Sequence, residues 1–142
     1  MGGATLFVEV KVTQTPTQVR EFLSVLQRHA LIDRTVVTSF YPAELAKMRA
    51  AATSLGTTMS FMQFVNDAKT PASTFRSAGV RYVAVVADAA TRAYLVTLKA
   101  AGLTTVVWTI DTEAQWAAAR AAGGDLVLTD VPAAYLRWLA SR

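Results

Sequence analysis

Glu9 and Lys11 stand two residues apart in the stretch Leu6–Val12 (LFVEVKV). The run is rich in β-formers and alternates, so it is expected to be a strand with both side chains on one face. An acid and a base on an inward face are costly unless they are paired or bound to an ion. There Glu9 could ligate a hard cation such as Mg²⁺ or Ca²⁺, and Lys11 could meet a phosphate oxygen. On an exposed edge strand the same pair is simply a solvated Glu–Lys face. Other residues with chemical capacity fall where apolar runs stop: Thr38, Ser39 and Phe40; Gln63; Asp88; Trp108 and Asp111; Thr129 and Asp130. Trp108 could line a pocket or fill a core. Ser39 could bond a ligand or a nearby backbone group. Asp111 and Asp130 precede helical stretches, where an aspartate caps exposed N–H groups. His29, the single histidine, lies at the end of a helical stretch and suits the negative end of the helix dipole.

The elements that must position these residues repeat one plan. Leu6–Val12, Thr35–Phe40, Thr57–Val65, Arg81–Ala87, Thr104–Ile110 and Asp125–Thr129 are expected strands. Amphipathic helical stretches separate them. Thr15-Pro16-Thr17-Gln18 is a capping box with proline at the first helical position. All four prolines (Pro16, Pro42, Pro71, Pro132) fall at helix starts, and Gly56, Gly79, Gly102 and Gly123 mark helix ends. Six strand–helix units imply a parallel sheet covered by helices, in one domain spanning residues 1–142. They fit either an open doubly wound sheet or three quarters of a (β/α)₈ barrel, and both gather functional side chains at the C-terminal ends of strands. The turn after the first strand, VTQTPTQ, contains no glycine, which argues against a dinucleotide fingerprint, and no P-loop is present.

Composition narrows the function classes. The 142 residues are 53% apolar and 17% charged, as in a globular domain. Without cysteine there is no disulfide and no thiolate metal site. The net charge of +4 comes from scattered bases not interleaved with aromatics, so no nucleic-acid partner is expected. The start MGGATLFVEV has neither a basic leader nor a long apolar run, and no window suits a membrane span. A cytoplasmic location is the corresponding expectation.

Four segments in order, V-E-V-K, V-V-T-S-F-Y-P-A-E-L, V-V-W-T-I-D and D-L-V-L-T-D-V-P, resemble the glycerophosphodiester phosphodiesterase family. That family carries E-I-K on strand three, S-F on strand four, W-T-V-N or similar on strand seven and a T-D-x-P turn after strand eight. The resemblance covers essentially the whole chain. It implies an α/β fold, an incomplete TIM-type (β/α) barrel of six parallel βα units that lacks the first two. It also implies metal-assisted hydrolysis of a glycerophosphodiester to glycerol 3-phosphate and an alcohol. Glu9 matches a metal-ligating glutamate for Ca²⁺ or Mg²⁺, and Lys11 matches the lysine near the phosphate. Ser39 and Phe40 match the pocket-lining pair, and Trp108 matches the aromatic on the glycerol side.

The family's H-R-G strand, its further acidic ligands and its second histidine have no counterpart here, and His29 maps onto neither histidine. Protonating an alkoxide leaving group near neutral pH needs a positioned acid. The chain alone is therefore not expected to hydrolyse phosphodiesters by the family mechanism. An open barrel also leaves strand edges that invite pairing. The expected partners are a small glycerophosphodiester and either a second copy of the chain or a complementing N-terminal fragment. The alternative is a non-catalytic structural or binding module within an oligomer or larger assembly.

Overall fold

The computed structural model describes residues 3–142. Strands β1 (Leu6–Glu9), β2 (Thr35–Ser39), β3 (Ser60–Val65), β4 (Tyr82–Val86), β5 (Thr104–Trp108) and β6 (Leu126–Val127) alternate with helices α1 (Pro16–Arg28), α2 (Pro42–Ser54), α3 (Ala72–Ser77), α4 (Arg92–Ala100), α5 (Glu113–Ala122) and α6 (Pro132–Ala140). All neighbouring strands pair parallel, and the order in the sheet is the order in the chain. β1 and β6 are the two edges.

This is an incomplete TIM-like barrel, not a doubly wound sheet, because the strand order never reverses. The curl is visible in side-chain contacts. Phe40, just past β2, and Trp108 on β5 are three strand spacings apart, about 14 Å on a flat sheet. Their ring centroids are 5.4 Å apart. Phe7 on β1 and Tyr82 on β4 meet edge-to-face at 5.8 Å in the same way near the other end. The sheet therefore bends into a trough whose inner face holds residues of one parity.

Residues of the opposite parity face the helices. Val37, Phe61, Val83, Val85 and Val107 pack with Leu23, Leu45, Phe75, Leu95 and Leu98 in the main core. The start of α1 follows the expected chemistry, Thr15 and Gln18 forming a complete capping box. A second complete box, Thr112 with Gln115, opens α5 in place of the expected Asp111 cap. Gly56, Gly79, Gly102 and Gly123 all take left-handed φ values, and α1 ends without glycine by placing Ala30 at φ 52°.

Several boundaries differ from the sequence reading. β1 stops at Glu9, so Lys11 lies beyond the strand. Val10 makes one more sheet contact, its N–H donating to the Thr38 carbonyl at 2.7 Å, and then the chain turns away. β3 begins at Ser60, not Thr57, and β6 has two residues instead of five. Asp130 does not cap α6: the residue at the cap is Val131, and no side chain bonds there. Among the described residues no helix is long and apolar enough to cross a membrane.

Candidate functional site

A cavity of about 290 Å³ opens at the C-terminal end of the sheet, on the trough side. Its lining includes Glu9, Thr38, Phe40, Phe64, Trp108 and Asp130, contributed by β1, β2, β3 and β5 and by the turn after β6. The volume is at the small end of ligand sites, which run from about 300 Å³ upward. It suits a compact polar group better than a long chain.

Three of the four aromatic rings that line the cavity form one wall. Phe40 stacks on Phe64 at 4.7 Å, and each meets Trp108 edge-to-face at 5.4 Å. The Trp108 indole N–H donates to the Ala84 carbonyl at 3.0 Å, which fixes the ring across the trough. Such offset and T-shaped pairs are the favoured aromatic geometries. Below them Val36, Met62, Ala84 and Val106 form a small separate apolar cluster.

The four sequence segments come together as two adjacent pairs. In the second pair, Asp111 joins the turns after β5 and β6. Its Oδ1 accepts from the Thr129 hydroxyl at 2.9 Å and from the Asp130 N–H at 2.7 Å. Thr112 takes over the cap of α5, so Asp111 clamps a neighbouring loop instead of starting its own helix. Asp130 is thereby placed on the cavity lining. In the first pair, the Ser39 hydroxyl donates to the Val10 carbonyl at 2.7 Å and accepts from the Tyr41 N–H at 3.1 Å. Ser39 is fully buried and is not among the cavity-lining residues.

Glu9 and Lys11 do meet, at 3.7 Å, but their side chains are 30% and 76% exposed. A pair this open to water contributes little to stability. Glu9 reaches the cavity, whereas Lys11 stands outside its lining. The lining itself carries two carboxylates, Glu9 and Asp130, three threonine hydroxyls and no cationic side chain. Among the described residues no three His, Cys, Asp or Glu side chains cluster closely enough to hold a metal. Ca²⁺ takes six to eight oxygens and Mg²⁺ about six, so the residues of this chain do not by themselves fit such an ion. His29 follows the C-terminal end of α1, just ahead of the start of β2, at the opposite end of the sheet from the cavity.

Strand-end inspection passes over Phe7, Met62, Phe64, Thr109 and Leu128, which also line the cavity; Phe64 is the one that stacks on Phe40. Gln63 is the polar residue near the end of that strand, but it is buried with the opposite parity. The usable signal is the two-residue period Met62–Phe64, in register with Thr38 on the neighbouring strand through Met62.

Residues 6–134 match the model of the Glycerophosphoryl diester phosphodiesterase family. No curated protein sequence matches the chain. Solved structures match its fold. A Galdieria sulphuraria chain aligns with TM-score 0.85 and 17% identity, covering 96% of this chain and 57% of that one. A glycerophosphodiester phosphodiesterase from Parabacteroides distasonis gives 0.78 and 20%, covering 97% and 58%. An Oleispira antarctica phosphodiesterase, solved with its product sn-glycerol-3-phosphate, gives 0.77 and 16%, covering 93% and 54%. The chain spans little more than half the length of these structures.

Proposed function

The chain belongs to the glycerophosphoryl diester phosphodiesterase family, and we propose that it supplies one wall of that enzyme's active site, strands three to eight of the barrel. The observation that carries this reading is the convergence of Glu9, Phe40, Trp108 and Asp130, drawn from all four family-like segments, on one cavity at the C-terminal strand ends. In this reading the aromatic wall of Phe40 and Trp108 packs against the carbon side of a glycerol unit. Lys11, at the rim, faces the phosphate. Glu9 would be one ligand of a divalent cation, with the other ligands supplied by further βα units. The sn-glycerol-3-phosphate held by the Oleispira antarctica structure is a ligand of the kind this cavity would take. Ser39 acts on the backbone behind the site.

In this reading the acid and base of the reaction come from groups outside the described residues. The lining offers no histidine, and His29 is at the far end of the sheet. Additional parallel units beside the edge strands would close the trough and bring those groups. The decisive experiment assays glycerophosphocholine hydrolysis with added Ca²⁺ or Mg²⁺, using the chain alone and the chain mixed with a fragment carrying two preceding βα units of a family member. Turnover only in the mixture, abolished by Glu9→Ala, is the expected result. Turnover by the chain alone, lost on Glu9→Ala, would refute the need for further units. A stable oligomer without turnover in any mixture favours the non-catalytic module.

A further inference from the structure

The loop that carries Lys11 is held at both ends, and the side chains that hold it, Ser39, Glu44 and Lys47, do not line the cavity. At its start, the Ser39 hydroxyl bonds the Val10 carbonyl at 2.7 Å, and Val10 N–H bonds the Thr38 carbonyl at 2.7 Å. At its end, the Gln14 N–H donates to Glu44 Oε2 at 3.0 Å, and Lys47 Nζ donates to the Gln14 carbonyl at 2.7 Å. Lys47 also bonds both carboxylate oxygens of Glu44, at 2.9 and 3.0 Å. Glu44 is only 5% exposed although it lies in the first turn of α2. Between the two anchors Lys11, Val12 and Thr13 are all exposed.

A three-residue exposed segment with no buried side chain would ordinarily be mobile. Here its flanking backbone is fixed by a buried serine and by a buried, ion-paired glutamate. Backbone N–H bonds to a carboxylate are among the stronger hydrogen bonds. The bonds from the Gln14 N–H and from Lys47 offset the cost of covering the acid. One of those groups, together with the Lys47 bond to the Gln14 carbonyl, ties α2 to the end of the loop. We propose that Ser39 and Glu44 are positioning residues that pin the β1–α1 loop so that Lys11 stays at the cavity mouth beside Glu9. This rests on reading that mouth as the phosphate end of the site. It also gives the S-F-Y-P-A-E-L segment one mechanical role, with Phe40 facing the ligand while Ser39 and Glu44 hold the neighbouring loop.

The test uses the ¹⁵N-labelled chain in four forms: wild type, Ser39→Ala, Glu44→Ala, and Glu44→Gln as a variant that keeps a neutral acceptor. Heteronuclear NOEs of Lys11, Val12 and Thr13 and hydrogen exchange at Gln14 report loop order. Protection at Val85 and Val107 reports the core. The expected result is a drop in the loop NOEs in both alanine variants, with Gln14 exchange faster by about tenfold or more in Glu44→Ala. Partial recovery in Glu44→Gln and unchanged core protection complete that result. Loop NOEs and Gln14 exchange at wild-type values in Glu44→Ala and Glu44→Gln would overturn the proposal. In a separate arm, sn-glycerol 3-phosphate is titrated while the Lys11 signals are followed. Wild-type Lys11 signals that do not move would sink the phosphate reading of the mouth, while the loop measurements still decide the pinning. Shifts that occur in wild type and weaken at least threefold in Glu44→Ala support both.

Discussion

On the helix-covered face of the sheet, Val37, Val83, Val85 and Val107 are at most 1% exposed, closed over by Leu23, Phe75, Leu95 and Leu98. On the trough face, Val36, Met62, Ala84 and Val106 are equally buried, but Phe64, Tyr82, Trp108 and Leu128 around them are only partly covered. The edges continue the trend: Phe7 on β1 and Leu126 on β6 are each 42% exposed. The helices that pack one face come from the same chain and finish it. The other face of a TIM-like sheet is covered by strands across the barrel, and here six strands curl without meeting. Stability is therefore concentrated on the outer face, and the cavity with its carboxylates and aromatic wall opens on the inner one.

That comparison can be broken by substitution. Phe75→Ala, at a fully buried site between sheet and helices, should cost about 3–5 kcal/mol in urea unfolding. Trp108→Ala removes a larger side chain from the trough and should cost less, about 2 kcal/mol, because part of it already faces water. Equal losses would mean that the trough is a finished core and that no further wall is required.

The loop anchors sit between these extremes. Hydrogen bonding from the Gln14 N–H, then from Lys47, holds the Glu44 carboxyl below its ordinary value of 4.5 despite burial. A carboxyl lowered on folding stabilises the fold fully above its unfolded value and loses that contribution as pH falls through the folded one. Glu44→Gln should then cost about 1 kcal/mol near neutral pH and flatten the acid limb of the stability curve below about pH 4.5. Part of the limb remains, because Asp125 is lowered too: burial raises it, but bonds from Lys99 and from the Thr105 N–H and hydroxyl outweigh that. A limb identical to wild type would remove Glu44 from the account.

The smallest effect is expected at Ala30, the non-glycine residue at φ 52° among the described residues. Left-handed backbone costs an L-residue roughly 1–2 kcal/mol, partly offset by the extra freedom of glycine in the unfolded chain. Ala30→Gly should raise stability by about 0.5 kcal/mol in thermal melts. A loss would show that α1 ends by some other means.

Much of the fold was legible because its signals are local. Proline at helix starts, the capping box at Thr15 and glycine at helix ends depend on a few neighbouring residues, and each falls where the sequence placed it, whereas the cap of α5 moves from the expected Asp111 to Thr112. Strand ends were less legible. Val10–Val12 continues the alternation of β1, but β2 offers it only one further backbone partner, so Lys11 leaves the sheet. Asp130 looks like a cap, yet the turn it occupies is set by Asp111, 19 residues away in sequence.

By itself the sequence determined the six strand–helix units, their parallel sense and the four segments that mark the family, because period, caps and turn residues act over short range. Only the tertiary structure decided which of the marked side chains look into the trough. Phe40 and Ser39 are adjacent, but strand parity sends one ring to Trp108 and the other hydroxyl to the Val10 carbonyl. That division depends on how β1 and β2 sit side by side and on the curl that brings β2 to β5, and neither is encoded in any short run of residues.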